Sequence, residues 1–112
     1  MDDIIESWQA QIRAMSPKIA AAEYDLVKCD ADIKRLQAQL ELMAAANGHK
    51  TINAQKNQAD NSTELYQARL SYGVAKGAIA GTKIELKAIE VGFEEWRTKM
   101  VNMREEKKRY GA

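Results

Sequence analysis

The chain has few of the residues that build cross-links, metal sites and chain breaks: one Cys, one His and one Pro. One Cys excludes a disulfide framework within the chain, and Cys and His together are too few for a metal-binding cluster of these residues. No run of 18 apolar residues occurs, so the sequence predicts no membrane-spanning helix. A formal net charge of +1 over 112 residues is too even for a polybasic nucleic-acid binder.

The N-terminal segment MDDIIESW is acidic. It has neither the basic start nor the apolar stretch of a signal peptide, which predicts a cytoplasmic protein. A length of 112 residues predicts a single domain, 1–112.

What the chain does have is a helix-forming composition, with 18 Ala, and a long apolar repeat. Two seams follow alternating three- and four-residue spacing, and Thr82 is the polar exception. The N-terminal seam consists of Ile5, Trp8, Ile12, Met15, Ile19, Ala22, Leu26, Cys29, Ile33, Leu36, Leu40 and Met43. The C-terminal seam consists of Leu65, Ala68, Tyr72, Ala75, Ile79, Thr82, Leu86, Ile89, Phe93, Trp96, Met100 and Met103. Such a repeat is typical of a coiled coil.

Asn47-Gly48 between the seams is a good helix stop, since glycine accepts the left-handed conformation that ends helices. We therefore predict an all-α fold, an antiparallel two-helix coiled-coil hairpin that assembles into a homo-oligomeric helical bundle. Helix one is expected at about 2–46, a turn or loop at about 47–62, and helix two at about 63–109. Pro17 either kinks or breaks helix one, and residues 51–60 are either loop or an early turn of helix two.

Charges beside the seams predict a register for the two helices. One antiparallel register aligns three flanking pairs at once: Glu23 with Lys83, Asp30 with Lys76, and Gln37 with Arg69. Each exposed pair contributes a few tenths of a kcal/mol. The pairs are therefore expected to set register more than stability.

Helix two has a further apolar face, which we call the outer seam. It consists of Leu70, Val74, Gly77, Gly81, Ile84, Ala88 and Val91. A helix with two apolar faces needs a cover on both, and one hairpin partner covers one. Gly73, Gly77 and Gly81 cost about 1 kcal/mol each in a helix interior, which favours close approach of another helix, with a flexible or kinked segment as the alternative reading. We therefore predict a homo-oligomer interface on the outer seam.

The end of helix two gathers positive charge, which we call the basic end. It consists of Arg97, Lys99, Arg104, Lys107, Lys108, Arg109 and Tyr110. Cations at a helix C-terminus also favour the helix dipole, so a solvated helix end is the alternative reading. In an oligomer the basic end would repeat and could hold a nucleic-acid backbone. Cys29 at a core position, His49 in the turn and the absence of phosphate-binding glycine loops predict no enzyme, metal site, cofactor or small-molecule substrate.

The stretch of residues 50–111 resembles small phage coiled-coil proteins of replication and recombination. The parts that carry the resemblance are LYQARLSY, KIELKAIEVGFEEWRT and the basic-aromatic end. The chain is similar to the UvsY recombination-mediator family of T-even phages. That resemblance implies a helical oligomer in the host cytoplasm that binds single-stranded DNA and acts with a recombinase and a single-strand binding protein.

Two functions from different classes follow. In the first, the protein is a non-enzymatic recombination or replication accessory protein. The basic end would hold phosphates, with Tyr110 stacked on a base. In the second, the protein is a structural, adaptor or inhibitor coiled coil that binds a protein partner through the outer seam.

Overall fold

A computed structural model describes residues 2–110 of the chain. Three helices account for nearly all of them: α1 at Asp2–Ala46, α2 at Ile52–Asp60 and α3 at Thr63–Arg109. No strand occurs in this described range, and the prediction of an all-α fold is confirmed.

α1 continues through Pro17 as one helix. A proline inside a helix removes one backbone hydrogen bond and typically costs about 3 kcal/mol or more. Pro17 is exposed, whereas Met15 is buried and Ile19 is half-buried on the seam side. Because Pro17 points away from the packed side, it does not interrupt the apolar seam, and α1 continues through it without a break.

The connection between α1 and α3 contains a helix of its own. Gly48, with φ of 100°, turns the chain after α1. The Oγ1 of Thr51 then caps α2 by accepting a hydrogen bond of 3.1 Å from the backbone N–H of Ala54. Ala59 is 0% exposed and anchors α2. Residues 52–60 are therefore neither loop nor part of helix two, the two options left open by the sequence.

The described residues form two compact units, of which one joins the chain up to Ile19 with the chain from Gly81 onward. Aromatic rings pack it: the centroids of Trp8 and Phe93 are 6.1 Å apart, and those of Phe93 and Trp96 are 6.3 Å apart. Lys18 Nζ lies 3.5 Å from Glu85 Oε1. Because Trp8 meets Phe93 and Lys18 meets Glu85, α1 and α3 run in opposite directions within this unit.

The other unit, Ala20–Ala80, is packed mainly by small side chains. Its buried residues are Ala22, Ala44, Ala59, Leu65 and Ala75. An ion pair of 2.9 Å between Arg69 and Asp60 links α3 to the end of α2. The hydroxyl of Ser62 caps α3 by accepting a hydrogen bond of 3.5 Å from the N–H of Leu65.

The two apolar seams are the sides on which the helices are covered. Eleven of the twelve residues of the N-terminal seam are buried or half-buried, and so are eleven of the twelve in the C-terminal seam. Met43 and Met103, at the last position of each seam, are the exposed members. The seven-residue spacing therefore identified the covered side of both helices.

The predicted charge register is wrong. Asp30 pairs with Lys34 at 3.0 Å, and the Gln37 amide donates to Glu41 at 3.5 Å, so both find partners on their own helix. Arg69 pairs with Asp60 and not with Gln37. The predicted register would also have placed Trp8 level with Thr98, whereas it meets Phe93. Packing of large apolar side chains outweighs exposed charge pairs of a few tenths of a kcal/mol.

Candidate interaction surfaces

Every residue of the outer seam is exposed in the single chain. Val74 is 74% exposed and Ile84 is 70% exposed, although both are large and apolar. Leu70 and Val91 are about half-exposed at the two ends. Contiguous exposed apolar residues of this kind often mark an interaction site.

Gly77 and Gly81 of the outer seam, and Gly73 just before them, have no packing role among residues 2–110. Among the described residues, nothing lies within 4 Å of a Cβ built on Gly73, Gly77 or Gly81. Gly92 is different, because a Cβ there would lie 3.1 Å from the Trp8 ring. The chain itself therefore explains Gly92 and leaves the three glycines near the outer seam unexplained.

An open groove of about 760 Å³ borders the end of the outer seam. Ile12, Val91 and Phe93 contribute apolar surface to it. Charged side chains, including Glu94 and Lys99, also line it. The groove thus combines apolar surface with charge of both signs beside Val91.

The basic end is exposed throughout, and Tyr110 is 77% exposed. Arg97 is held in place by two contacts: its Nη1 lies 3.2 Å from Glu94 Oε1, and its Cζ lies 5.7 Å from the centre of the Phe93 ring. Lys99 lines the open groove. The basic end is therefore accessible, but Glu94 offsets part of its positive charge.

Helix geometry divides the basic end into two groups. Arg97, Arg104 and Lys108 follow at intervals of seven and four residues, which places them on one side of α3. Arg109 lies on another side, where it lines a small pocket of about 220 Å³ with Asn102, Glu105 and Glu106. The structure therefore brings three of the predicted cations together and places Arg109 at a pocket that two carboxylates also line.

Two further cations extend the side that carries Arg97. Within residues 2–110, no ion pair involves Lys76 or Lys83, which the sequence had assigned to carboxylates of α1. These lysines, Arg97 and Arg104 occupy the same position of the seven-residue repeat, which Glu90 interrupts between Lys83 and Arg97, and all of these side chains are exposed. The seven-residue repeat was the signal that these cations share one side of α3. That signal was obscured because the sequence predicted ion pairs of Lys76 and Lys83 with α1.

The remaining candidate residues stay in ordinary surroundings. Within the described range, no group of three or more Asp, Glu, His or Cys residues is placed to hold a metal ion. Cys29 is half-buried at its seam position. The backbone carbonyl of His49 accepts a hydrogen bond of 2.9 Å from Gln55.

None of the helices, over residues 2–110, combines the length and the apolar character needed to cross a bilayer.

Comparison of the chain with protein-family models, with curated proteins and with solved structures finds no match. The resemblance to the UvsY family therefore stays a prediction.

Proposed function

We propose that this protein is a non-catalytic, oligomeric accessory protein that holds single-stranded DNA on the basic end. The observation that carries the proposal is the placement of Arg97, Arg104 and Lys108 on one side of an exposed helix end. Those three cations span about 16 Å along the helix. Positively charged strips of this kind follow a phosphate backbone, and an exposed aromatic such as Tyr110 can stack on a base.

In this proposal the chain is an antiparallel two-helix coiled-coil hairpin, and several copies form a helical bundle. The buried seams support the hairpin, as do the opposite directions of α1 and α3 where Trp8 meets Phe93. The exposed outer seam supports the bundle. Assembly matters for binding, because three cations in one copy make few phosphate contacts and several copies make many.

The resemblance to the UvsY family supports single strands over duplex DNA as the ligand. It also implies a recombinase and a single-strand binding protein as protein partners. These partners are part of the proposal.

Titration of a labelled single-stranded oligonucleotide tests DNA binding. If each copy neutralises three phosphates, affinity should fall about 20-fold between roughly 50 and 200 mM salt for every copy that contacts the strand. Replacing Arg97, Arg104 and Lys108 together by Gln should abolish most of the binding. Replacing Lys28, Lys50 and Lys56 by Gln removes the same charge at exposed positions elsewhere and should leave binding nearly unchanged. Equal losses in the two variants, or no binding at the lower salt concentration, would overturn the proposal.

A second candidate function is an adaptor that binds a protein partner through the outer seam. The exposure of Val74 and Ile84 favours it, because most of each apolar side chain is left uncovered in the single chain. Such an adaptor would bind its partner with no dependence on the basic end. A protein that fails to bind DNA and still associates through Val74 and Ile84 would fit this second function.

A further inference from the structure

We infer that a second copy of this chain covers the outer seam, with the two α3 helices antiparallel and a two-fold axis beside Gly81. The inference rests on the oligomerisation within the proposed function, and adds the partner, the direction and the contacts. It is independent of DNA binding.

The sizes of the outer-seam residues match when the seam is reversed against itself. The facing residues are Leu70 with Val91, Val74 with Ala88, Gly77 with Ile84, and Gly81 with Gly81. Large side chains face small ones around the axis, and two glycines meet at it. A two-fold interface requires this property, since each residue must fit its counterpart in both copies.

A parallel pairing lacks this match. It would place Val74 against Val74 and Ile84 against Ile84, with Gly77 against Gly77 between them. Pairs of large side chains would then alternate along the interface with pairs of glycines. Because protein interiors are close-packed, the large pairs would force the helices apart and the glycine pairs would leave voids. The antiparallel direction distributes side-chain volume more evenly along the seam.

The open groove lies where the second copy would place its exposed residues. In this register Leu70 of the second copy faces Val91, and Tyr66 of the second copy lies level with Glu94. Leu70 is 49% exposed and Tyr66 is 59% exposed in the single chain. A groove of about 760 Å³, with apolar surface from Phe93, has room for both side chains.

Charges at the ends of the paired region are complementary. The same register places Glu64 of the second copy beside Lys99, which lines the groove. Both side chains are exposed in the single chain, and the two-fold axis repeats the pair. Exposed pairs of this kind contribute more to register than to affinity.

Cross-linking through single cysteines tests the pairing in the absence of DNA. All variants carry Cys29→Ser, and a short bismaleimide is the cross-linker. Ala80→Cys lies beside the axis and should give cross-linked dimers. Val74→Cys alone should not, because two copies of that residue would lie about 21 Å apart along an antiparallel pair. An equimolar mixture of Val74→Cys and Ala88→Cys chains should cross-link, because these two residues face each other.

Sedimentation of the same samples separates the possible outcomes. Cross-links at Ala80→Cys and in the mixture, without self-links at Val74→Cys, support the antiparallel pair. Self-links at both Val74→Cys and Ala88→Cys indicate a parallel pair and overturn the inference. Dimers in sedimentation without any of these cross-links place the interface elsewhere and also overturn it. Monomers alone would overturn the pairing together with the oligomeric part of the proposed function.

Discussion

Gly92 and Gly77 lie on the same helix, but their surroundings differ. The Trp8 ring lies 3.1 Å from where a Cβ on Gly92 would be, so a larger residue there conflicts with packing inside the chain. At Gly77, nothing among the described residues lies within 4 Å of that position. In a helix interior, each glycine lowers helix stability by about 1 kcal/mol relative to alanine. Packing against Trp8 of α1 explains the glycine at position 92, whereas no contact among residues 2–110 explains the glycine at position 77.

The largest effect should separate the covered and outer sides of α3. Leu65→Ala removes a side chain that is 0% exposed and should lower the free energy of unfolding by about 2–5 kcal/mol. Leu70→Ala, the matched control on the outer seam, should lower it by less than about 1 kcal/mol. Urea unfolding of both variants at one low protein concentration, at which the chain is monomeric, measures both. Similar losses would mean that the outer side contributes to folding of the single chain.

A smaller effect should separate the two glycines themselves. Gly92→Val forces branched carbon atoms against Trp8, and overpacking of this kind costs about 1–3 kcal/mol. Gly77→Val adds the same atoms in open space and should change the unfolding free energy of the single chain by a few tenths of a kcal/mol. Thermal unfolding at low protein concentration gives the comparison. A loss at Gly77 as large as that at Gly92 would contradict it.

The smallest effect concerns charge pairs. Lys18→Gln removes the observed pair with Glu85 and should cost about 0.2–1 kcal/mol at low salt. The sequence predicted a pair between Lys76 and Asp30, but Asp30 pairs with Lys34 instead. Lys76→Gln should therefore cause no measurable loss of stability. Thermal unfolding in high salt should remove the difference between the two variants, because salt screens exposed charges. A larger loss for Lys76→Gln would restore the register predicted from the sequence.

The covered sides of α1 and α3 could be predicted because one repeating constraint, burial of every third or fourth residue, acts along both helices. The register could not be predicted from the charges. It is fixed where Trp8 packs on Phe93 and Gly92, and a seven-residue repeat alone does not indicate which large residues meet.

The short helix α2 was missed for a related reason. Its sequence is polar and its apolar face is narrow, with Ala59 as the buried residue. Thr51, whose hydroxyl caps the first turn, was the available signal. Threonine is common in loops, so without the tertiary contact of Ala59 that signal did not distinguish a helix from a turn.

The candidate surfaces were predictable to different degrees. Exposure of the outer seam followed from counting apolar faces, since one partner helix covers one face. The basic end was less predictable, because a list of cations does not show which carboxylates lie beside them. Glu94 near Arg97, and Glu105 and Glu106 near Arg109, follow from three- and four-residue spacing on the predicted helix, but counting cations alone left these neighbours out.

Alanine fills four of the six buried positions within residues 2–110. The heat-capacity change of unfolding grows with the apolar surface that becomes exposed, and a methyl group exposes little. The stability curve of a lone chain should therefore be shallow, with a small unfolding enthalpy. Association stabilises the folded state by mass action. If copies pair through the outer seam as proposed, the folded fraction should therefore rise with protein concentration.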